Sequence, residues 1–287
     1  MAINLQEVNF AYKNKKKKLP PRYILKDINL SIDSNDEFIA LVGESGAGKS
    51  TLVQLFNALL LSTSGEVKVF DKVISEKSKI KKKEIRKKVG LVFQFPEYQL
   101  FDDTVLKDVS YGPKNFGLDN PIELAKEALR VVGISESLYD RNPLTLSGGQ
   151  MRKVAIAGIL ASNPDILVFD EPTVGLDPVS RNELLELLEK INKEYHKSII
   201  LITHDMDVVG KSCKRVIVLK QGKIVFDDKK DELFKNKELM SLYSIDYPTT
   251  VKMLVEIKNK LNVHLNVLQY TVSDSYKELA RVLGCEE

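Results

Sequence analysis

The octapeptide Gly43-Glu44-Ser45-Gly46-Ala47-Gly48-Lys49-Ser50 stands between an apolar run, EFIALV (37–42), and a stretch of helical spacing, TLVQLFNALLL (51–61). A G-x-x-x-x-G-K-S pattern with a strand before it and a helix after it is a phosphate-cradling loop. Its glycines let backbone N–H groups curl around phosphate oxygens, while the following helix directs its positive end at them. Lys49 adds a full charge toward the β- and γ-phosphates, the Ser50 hydroxyl can ligate Mg²⁺, and Thr51 continues the contact. A chain with this core is expected to fold as strand–loop–helix inside an α/β sheet and to bind a nucleotide.

The rest of the chain agrees with that expectation. VGLVFQF (89–95), DILVFDEP (165–172), SIILITHD (198–205) and RVIVLK (215–220) read as buried strands separated by helical stretches. Such alternation indicates a mainly parallel sheet covered on both faces. INLQEVNFAY and YILKDINLSI alternate as an attached antiparallel layer would, with Ile3, Leu5, Val8, Phe10, Ile24, Ile28, Leu30 and Ile32 as inward candidates. GEVKVF (65–70) reads as another strand. Residues 104–118 and 121–133 read as helices, and the basic stretch 77–88 as one solvated helix. A helix opening at Ser147 has Met151, Val154, Ala155 and Ile159 on one face. KNKKKKLPP, closing at Pro20-Pro21, reads as an exposed turn, either simply solvated or touching anionic lipid headgroups. Beyond about residue 228 the chain turns helical and charged, with a stripe at Val251, Leu254, Val255 and Leu261. The division is therefore a unit at 1–228, with a helical part at about 95–162, and a helical extension at 229–287.

Composition narrows the classes. Lys+Arg 43 against Asp+Glu 40 leaves +3, too balanced for a histone-like polycation, and 43% hydrophobic residues exclude wholesale disorder. No apolar run approaches the roughly 20 residues that span a bilayer, and the first ten residues do not read as a secretory leader. Cys213 and Cys285 form no disulfide framework and have no metal-ligating companion nearby. A folded, cytosolic chain is expected.

Two further constellations carry chemistry. Asp170 and Glu171 end a buried strand, at the edge where open parallel sheets bind ligands. Asp170 would hold Mg²⁺ through water, and Glu171 would polarise the attacking water as general base. His204 ends the next strand and is placed as a γ-phosphate sensor; His196 and His264 read as surface residues in helical polar settings. Second, Leu146-Ser147-Gly148-Gly149-Gln150 opens a helix with exposed N–H groups and a hydroxyl, another anion site. One chain thus carries two phosphate-binding helix starts but one lysine and one metal set, which suggests a nucleotide shared between two subunits.

These motifs resemble the ATP-binding cassette (ABC) ATPases over roughly residues 1–227. The resemblance implies a P-loop NTPase cassette with an antiparallel β subdomain, a helical signature subdomain and a C-terminal helical extension. It makes LSGGQ the signature, Gln94 the Q-loop glutamine and metal neighbour, and Gly175-Leu176-Asp177 part of the D-loop. It also makes His204 the switch histidine, and Tyr12 the aromatic that stacks on adenine, unless Tyr12 is an ordinary strand tyrosine. FPEYQLFDDTVLKDVSYGPKNFGL, LSGGQMRKVAIAGILA and EPTVGLDP look like the energy-coupling factor (ECF) transporter ATPases, and the segment after Tyr12 and Met151 are similar to their second, A-prime ATPase subunit. KNKKKKLPP is a departure from its relatives that touches no chemistry.

Residues 93–116 concentrate Phe93, Phe95, Tyr98, Phe101, Tyr111 and Phe116, six of the chain's 21 Phe and Tyr where an even spread gives about two. Beside Asp102, Asp103 and Lys107 they fit a groove for a partner helix; in ECF transporters the matching segment receives coupling helices of the membrane scaffold. The resemblance therefore implies ATP and Mg²⁺ as ligands and ATP hydrolysis that powers uptake of vitamins or other micronutrients. It also implies a peripheral position at the cytoplasmic face of the membrane. The implied partners are a second ABC ATPase, favoured as a paralogue, a transmembrane scaffold protein and a substrate-binding membrane protein, with no nucleic acid. Alternatives are the ATPase of another importer, for metal ions or amino acids, and a soluble ABC protein acting on nucleic acid, which normally carries two cassettes or a long coiled-coil insertion. Basic residues 77–88 lack the aromatic interleaving of a nucleic-acid stacking platform.

Overall fold

Strands in this chain are short and alternate strictly between two faces, and that alternation builds the molecule. The computed structural model describes residues 1–12, 22–34, 36–75 and 82–284. KNKKKKLPP, the first part of the basic stretch 77–88 and Cys285 lie outside them.

The first strands are β1 (Ile3–Ala11), β2 (Tyr23–Ile32) and β3 (Phe38–Val42), followed by helix α1 (Lys49–Phe56). Next come β4 (Ser64–Val69), β5 (Lys72–Ile74), α2 (Lys82–Lys88) and β6 (Val89–Val92). Helices α3 (Val105–Phe116), α4 (Pro121–Val131) and α5 (Gly148–Leu160) form the helical part. The chain then returns through β7 (Ile166–Asp170), α6 (Pro178–Glu194), β8 (Ser198–Ile202), α7 (Met206–Ser212), β9 (Arg215–Lys220) and β10 (Lys223–Lys229). The extension holds α8 (Lys230–Lys235), α9 (Lys237–Tyr243), α10 (Thr249–Leu261) and α11 (Val272–Leu283).

One sheet runs β10-β9-β3-β8-β7-β6, parallel throughout except for the β9–β10 hairpin, and the other is antiparallel, β2-β1-β4-β5. On β3, Phe38, Ala40 and Val42 face one hydrophobic cluster while Ile39 and Leu41 face the other. The first cluster takes in α3 to α6; the second takes in α1 and the antiparallel sheet. The parallel sheet is thus covered on both faces as expected, but one cover is largely β. Phe234, Met240 and Tyr243 of α8 and α9 enter the first cluster, so the extension begins inside the same core as the sheet.

Several positions differ from the sequence reading. In β2, Leu25 and not Ile24 points inward, because the β1–β2 pairing shifts register around Val8 and Phe10 and Asp27 takes a positive φ of 52°. In α5 the buried side chains are Arg152, Val154, Ile156, Ala157 and Leu160, while Met151, Ala155 and Ile159 are only partly covered. That helix is enclosed on more than one side, so a single-stripe reading misplaces its face. His196 and His264 are exposed but lie in loops rather than helices; His196 Nδ1 sits 2.8 Å from Asp36. Leu261 is exposed at the end of α10, beyond the buried pair Val251 and Leu254.

Phe56 closes α1 at 1% exposure within the second cluster. Phe56→Ala is expected to destabilise the chain by about 3–5 kcal/mol, read as a lower urea midpoint with unchanged slope.

Candidate nucleotide-hydrolysis site

The phosphate loop leaves β3 and closes on α1 through three glycines of positive φ: Gly43 (143°), Gly46 (78°) and Gly48 (107°). Gly43 has a second reason to lack a side chain, since a Cβ there would lie 2.0 Å from the Leu219 carbonyl oxygen. Lys49 is buried at 9% exposure, and its Nζ donates to the carbonyls of Gly43 at 2.7 Å and Glu44 at 3.0 Å. Burial pushes the Lys49 ammonium below its usual range, against the pull of Glu171 and Asp170. Asp170 is displaced upward, first by burial and further by Glu171, while a hydrogen bond from Ser50 and the charge of Lys49 oppose the shift. A lysine and two carboxylates thus share one partly dehydrated space.

That space is a cleft of about 630 Å³. Gly43, Ser45, Gly46, Gly48, Lys49, Ser50 and Thr51 form its floor. Gln94, Asp170, Glu171 and His204 form one wall, and Tyr12 and Ile24 form the rim. Glu44 and Ala47 shape the loop without lining the cleft: Ala47 is buried, and Glu44 turns outward to Ser244. Tyr12 is 56% exposed, edge-on to Phe10 with ring centroids 4.9 Å apart, and its hydroxyl lies 3.4 Å from Thr51 Oγ1. It therefore stands exposed at the cleft mouth. Glu171 takes a positive φ of 48° and its N–H donates to the Ile202 carbonyl at 3.1 Å. This bends the chain out of β7 and brings Glu171 Oε1 to 3.6 Å from His204 Nδ1. Ser50 and Asp170 offer adjacent hard oxygen donors, the set that Mg²⁺ takes together with waters and phosphate oxygens.

The signature residues lie elsewhere. Ser147 caps α5: its Oγ accepts from the Gln150 N–H at 3.3 Å, and Gln150 Oε1 accepts from the Ser147 N–H at 3.1 Å, a reciprocal capping box. Ser147, Gly149 and Gln150 line a separate cleft of about 280 Å³ that shares no lining residue with the phosphate-loop cleft, and beside Gly148 a Cβ would meet open space. Asp177 caps α6, accepting from the N–H groups of Val179 and Ser180 and from the Ser180 hydroxyl at 2.6 Å. Those bonds hold its carboxyl below the usual range.

Arg152 escaped the sequence reading. It is 4% exposed inside α5, and its guanidinium forks onto Glu97 at 3.1 and 2.7 Å and donates to the carbonyls of Pro172 at 2.8 Å and Val174 at 3.0 Å. It ties the signature helix to the segment after Gln94 and to the turn after Glu171. The available signal was a charge at the i−4 position of Ile156 on an otherwise apolar face. Arg181 and Asp205 form a second ion pair, which joins α6 to the turn after His204.

A phosphate loop on this sheet together with a capped glycine-rich helix start in a separate cleft is the arrangement of a cassette ATPase. Residues 25–174 match the ABC transporter family. The energy-coupling factor transporter ATP-binding protein EcfA2 of Streptococcus pneumoniae is 46% identical over 251 residues, covering 86% of this chain and 88% of its own. The protein of the same description from Bacillus subtilis is 43% identical over 269 residues, covering 93% and 97%. Among solved structures, cbiO1 from Clostridium perfringens, described as part of the ABC transporter complex cbiONQ, superposes with a TM-score of 0.73 at 35% identity, covering 91% of this chain and 98% of that one. The chain belongs to the ABC transporter ATPases, in the group of energy-coupling factor transporter ATP-binding proteins.

The pair Arg152–Glu97 yields a prediction whose sign follows from linkage. Burial pushes the Glu97 carboxyl up, and the Arg152 bonds outweigh it, leaving it below its ordinary 4.5. The pair therefore stabilises the fold above that value and loses its contribution as pH falls through the folded-state value. Arg152→Met removes the Arg152 bonds and charge and leaves burial opposed only by a backbone hydrogen bond to the Glu97 carboxylate, so its charged form becomes destabilising. Urea unfolding is expected to show a deficit of about 3–5 kcal/mol near neutral pH. The deficit should shrink, without vanishing, near pH 4, because the bonds to Pro172 and Val174 do not titrate.

Proposed function

We propose that this chain is the ATP-hydrolysing subunit of an ECF importer, in which each ATP is held between two cassettes. The observation that carries the proposal is the separation of the two clefts: the phosphate loop and the Ser147 capping box line two clefts of one chain that share no residue. Two chains placed head to tail bring the loop of each against the signature of the other. In each site one chain contributes Tyr12 to the adenine and the Gly43–Thr51 loop to the phosphates, with Lys49 at the β- and γ-oxygens. Its mate contributes Ser147, Gly148, Gly149 and Gln150 to the γ-phosphate, and Asp177 lies across the contact.

Glu171 accepts the proton of the attacking water, and His204, within 3.6 Å of that carboxylate, holds the γ-phosphate side of the same water. Ser50 and Asp170, with Gln94 nearby, would hold Mg²⁺, which would supply charge neutralisation to the phosphate oxygens. Hydrolysis removes the contacts that hold the cassettes together. Gln94 leads directly into the segment bearing Tyr98 and Phe101, 85% and 65% exposed, and Arg152 ties that segment to the signature helix. Phe101 and Tyr111 of α3 stack edge to face at 5.0 Å, an exposed aromatic surface suited to a helix of a transmembrane scaffold. Among the described residues no helix is long and apolar enough to cross a membrane. In the ECF reading the chain is a peripheral subunit on the cytoplasmic face, with a paralogous second cassette, the scaffold and a substrate-binding membrane protein. Uptake of vitamins or other micronutrients is the process it powers.

Glu171→Gln is expected to lower ATP turnover by roughly 10²–10⁴-fold while leaving ATP binding intact. Lys49→Ala is expected to abolish the binding itself in a nucleotide titration. Near-normal hydrolysis by Glu171→Gln contradicts the assigned role.

A further inference from the structure

Helix α7 begins two residues after His204 and is seven residues long, yet three parts of the C-terminal extension close on it. The Asp207 carboxylate accepts from the Thr249 backbone N–H at 2.6 Å and from the Thr249 hydroxyl at 2.8 Å. Lys230 donates to the Gly210 carbonyl and lies 4.2 Å above the Tyr270 ring, whose hydroxyl donates to Asp231 at 2.6 Å. Gly210 is pressed so closely that a Cβ would stand 2.8 Å from the Tyr270 ring and 3.1 Å from the Pro248 ring. A fourth contact reaches the outer side of the phosphate loop, where the Ser244 hydroxyl donates to Glu44 at 3.1 Å.

The contacts on α7 bear on hydrolysis because of what α7 carries. Asp205 caps it, accepting from the N–H groups of Asp207 at 3.1 Å and Val208 at 3.3 Å, and pairs with Arg181 of α6. His204 precedes that cap directly. Its side chain is 72% exposed, and its only polar partner among the described residues is Glu171 at 3.6 Å. The ring is largely exposed, so the backbone of the turn sets the position from which it reaches the cleft. That turn is continuous with the first residues of α7, and Asp207 is where the extension grips them.

We propose that Asp207 is a positioning residue for His204, through which the C-terminal extension sets the rate of ATP hydrolysis. This rests on the reading of His204 given above. Loss of the Asp207 contacts moves the α7 turn, and with it the imidazole, while the separate Ser244–Glu44 contact at the phosphate loop stays in place. The effect therefore falls on kcat rather than on ATP affinity.

The test compares steady-state hydrolysis by the full-length chain, assembled in its transporter complex, for His204→Ala, Asp207→Ala, Asp207→Asn and Gly210→Ala. Asp207→Ala removes both acceptors, Asp207→Asn keeps one, and Gly210→Ala wedges the extension away without removing a polar group. His204→Ala is expected to be nearly inactive. Asp207→Ala and Gly210→Ala are expected to lower kcat roughly 2- to 30-fold with KM for ATP unchanged, and Asp207→Asn to recover most of it. If His204→Ala is inactive while Asp207→Ala and Gly210→Ala keep the wild-type kcat, Asp207 plays no such part. Equal losses in kcat and in apparent ATP affinity also overturn the proposal. Should His204→Ala itself turn over at the wild-type rate, the role of His204 fails and this inference falls with it.

Discussion

Three parallel strands ending at one level are what the site depends on. Ile202 of β8 stands beside Leu41 of β3 and beside Asp170 of β7 in the same sheet. The next residues to leave are Gly43 into the phosphate loop, Glu171 into its left-handed bend, and Thr203 ahead of His204. No long-range loop has to be ordered to assemble lysine, carboxylates and imidazole; backbone register does it. The cost of gathering two carboxylates there is visible in the upward displacement of Asp170, and the neighbouring Lys49 and Ser50 offset part of it.

Much of this was legible in the residues because local chemistry dictates it. A glycine loop that needs positive φ, a strand ending in Asp-Glu and a serine that caps a helix are all short-range signals, and each stands where it was expected. What escaped was decided by tertiary packing. Arg152 is invisible as a hub until Glu97 and the Pro172 and Val174 carbonyls are brought to it from 55, 20 and 22 residues away. Ile28, Leu30 and Ile32 of β2 face inward as read, but at its start Leu25 takes the place of Ile24 because bulges in the pairing with β1 change which side a position presents. The face of α5 was misjudged for a related reason: a helix enclosed by several neighbours has no single stripe to read.

Linkages between parts distinguish this cassette from a bare nucleotide binder. Arg152 joins the signature helix to the aromatic segment after Gln94. The extension, sharing the sheet's own core through Phe234 and Met240, touches the phosphate loop and the switch turn at once.

The central claim is that one chain holds two halves of an ATP site that cannot meet within it. Turnover per chain, measured from high dilution upward and then with the second cassette titrated in, tests this most directly. The account predicts negligible hydrolysis at high dilution, a per-chain rate that climbs with association, and saturation once every chain is paired. Full-rate hydrolysis by the isolated monomer, independent of concentration, would contradict it.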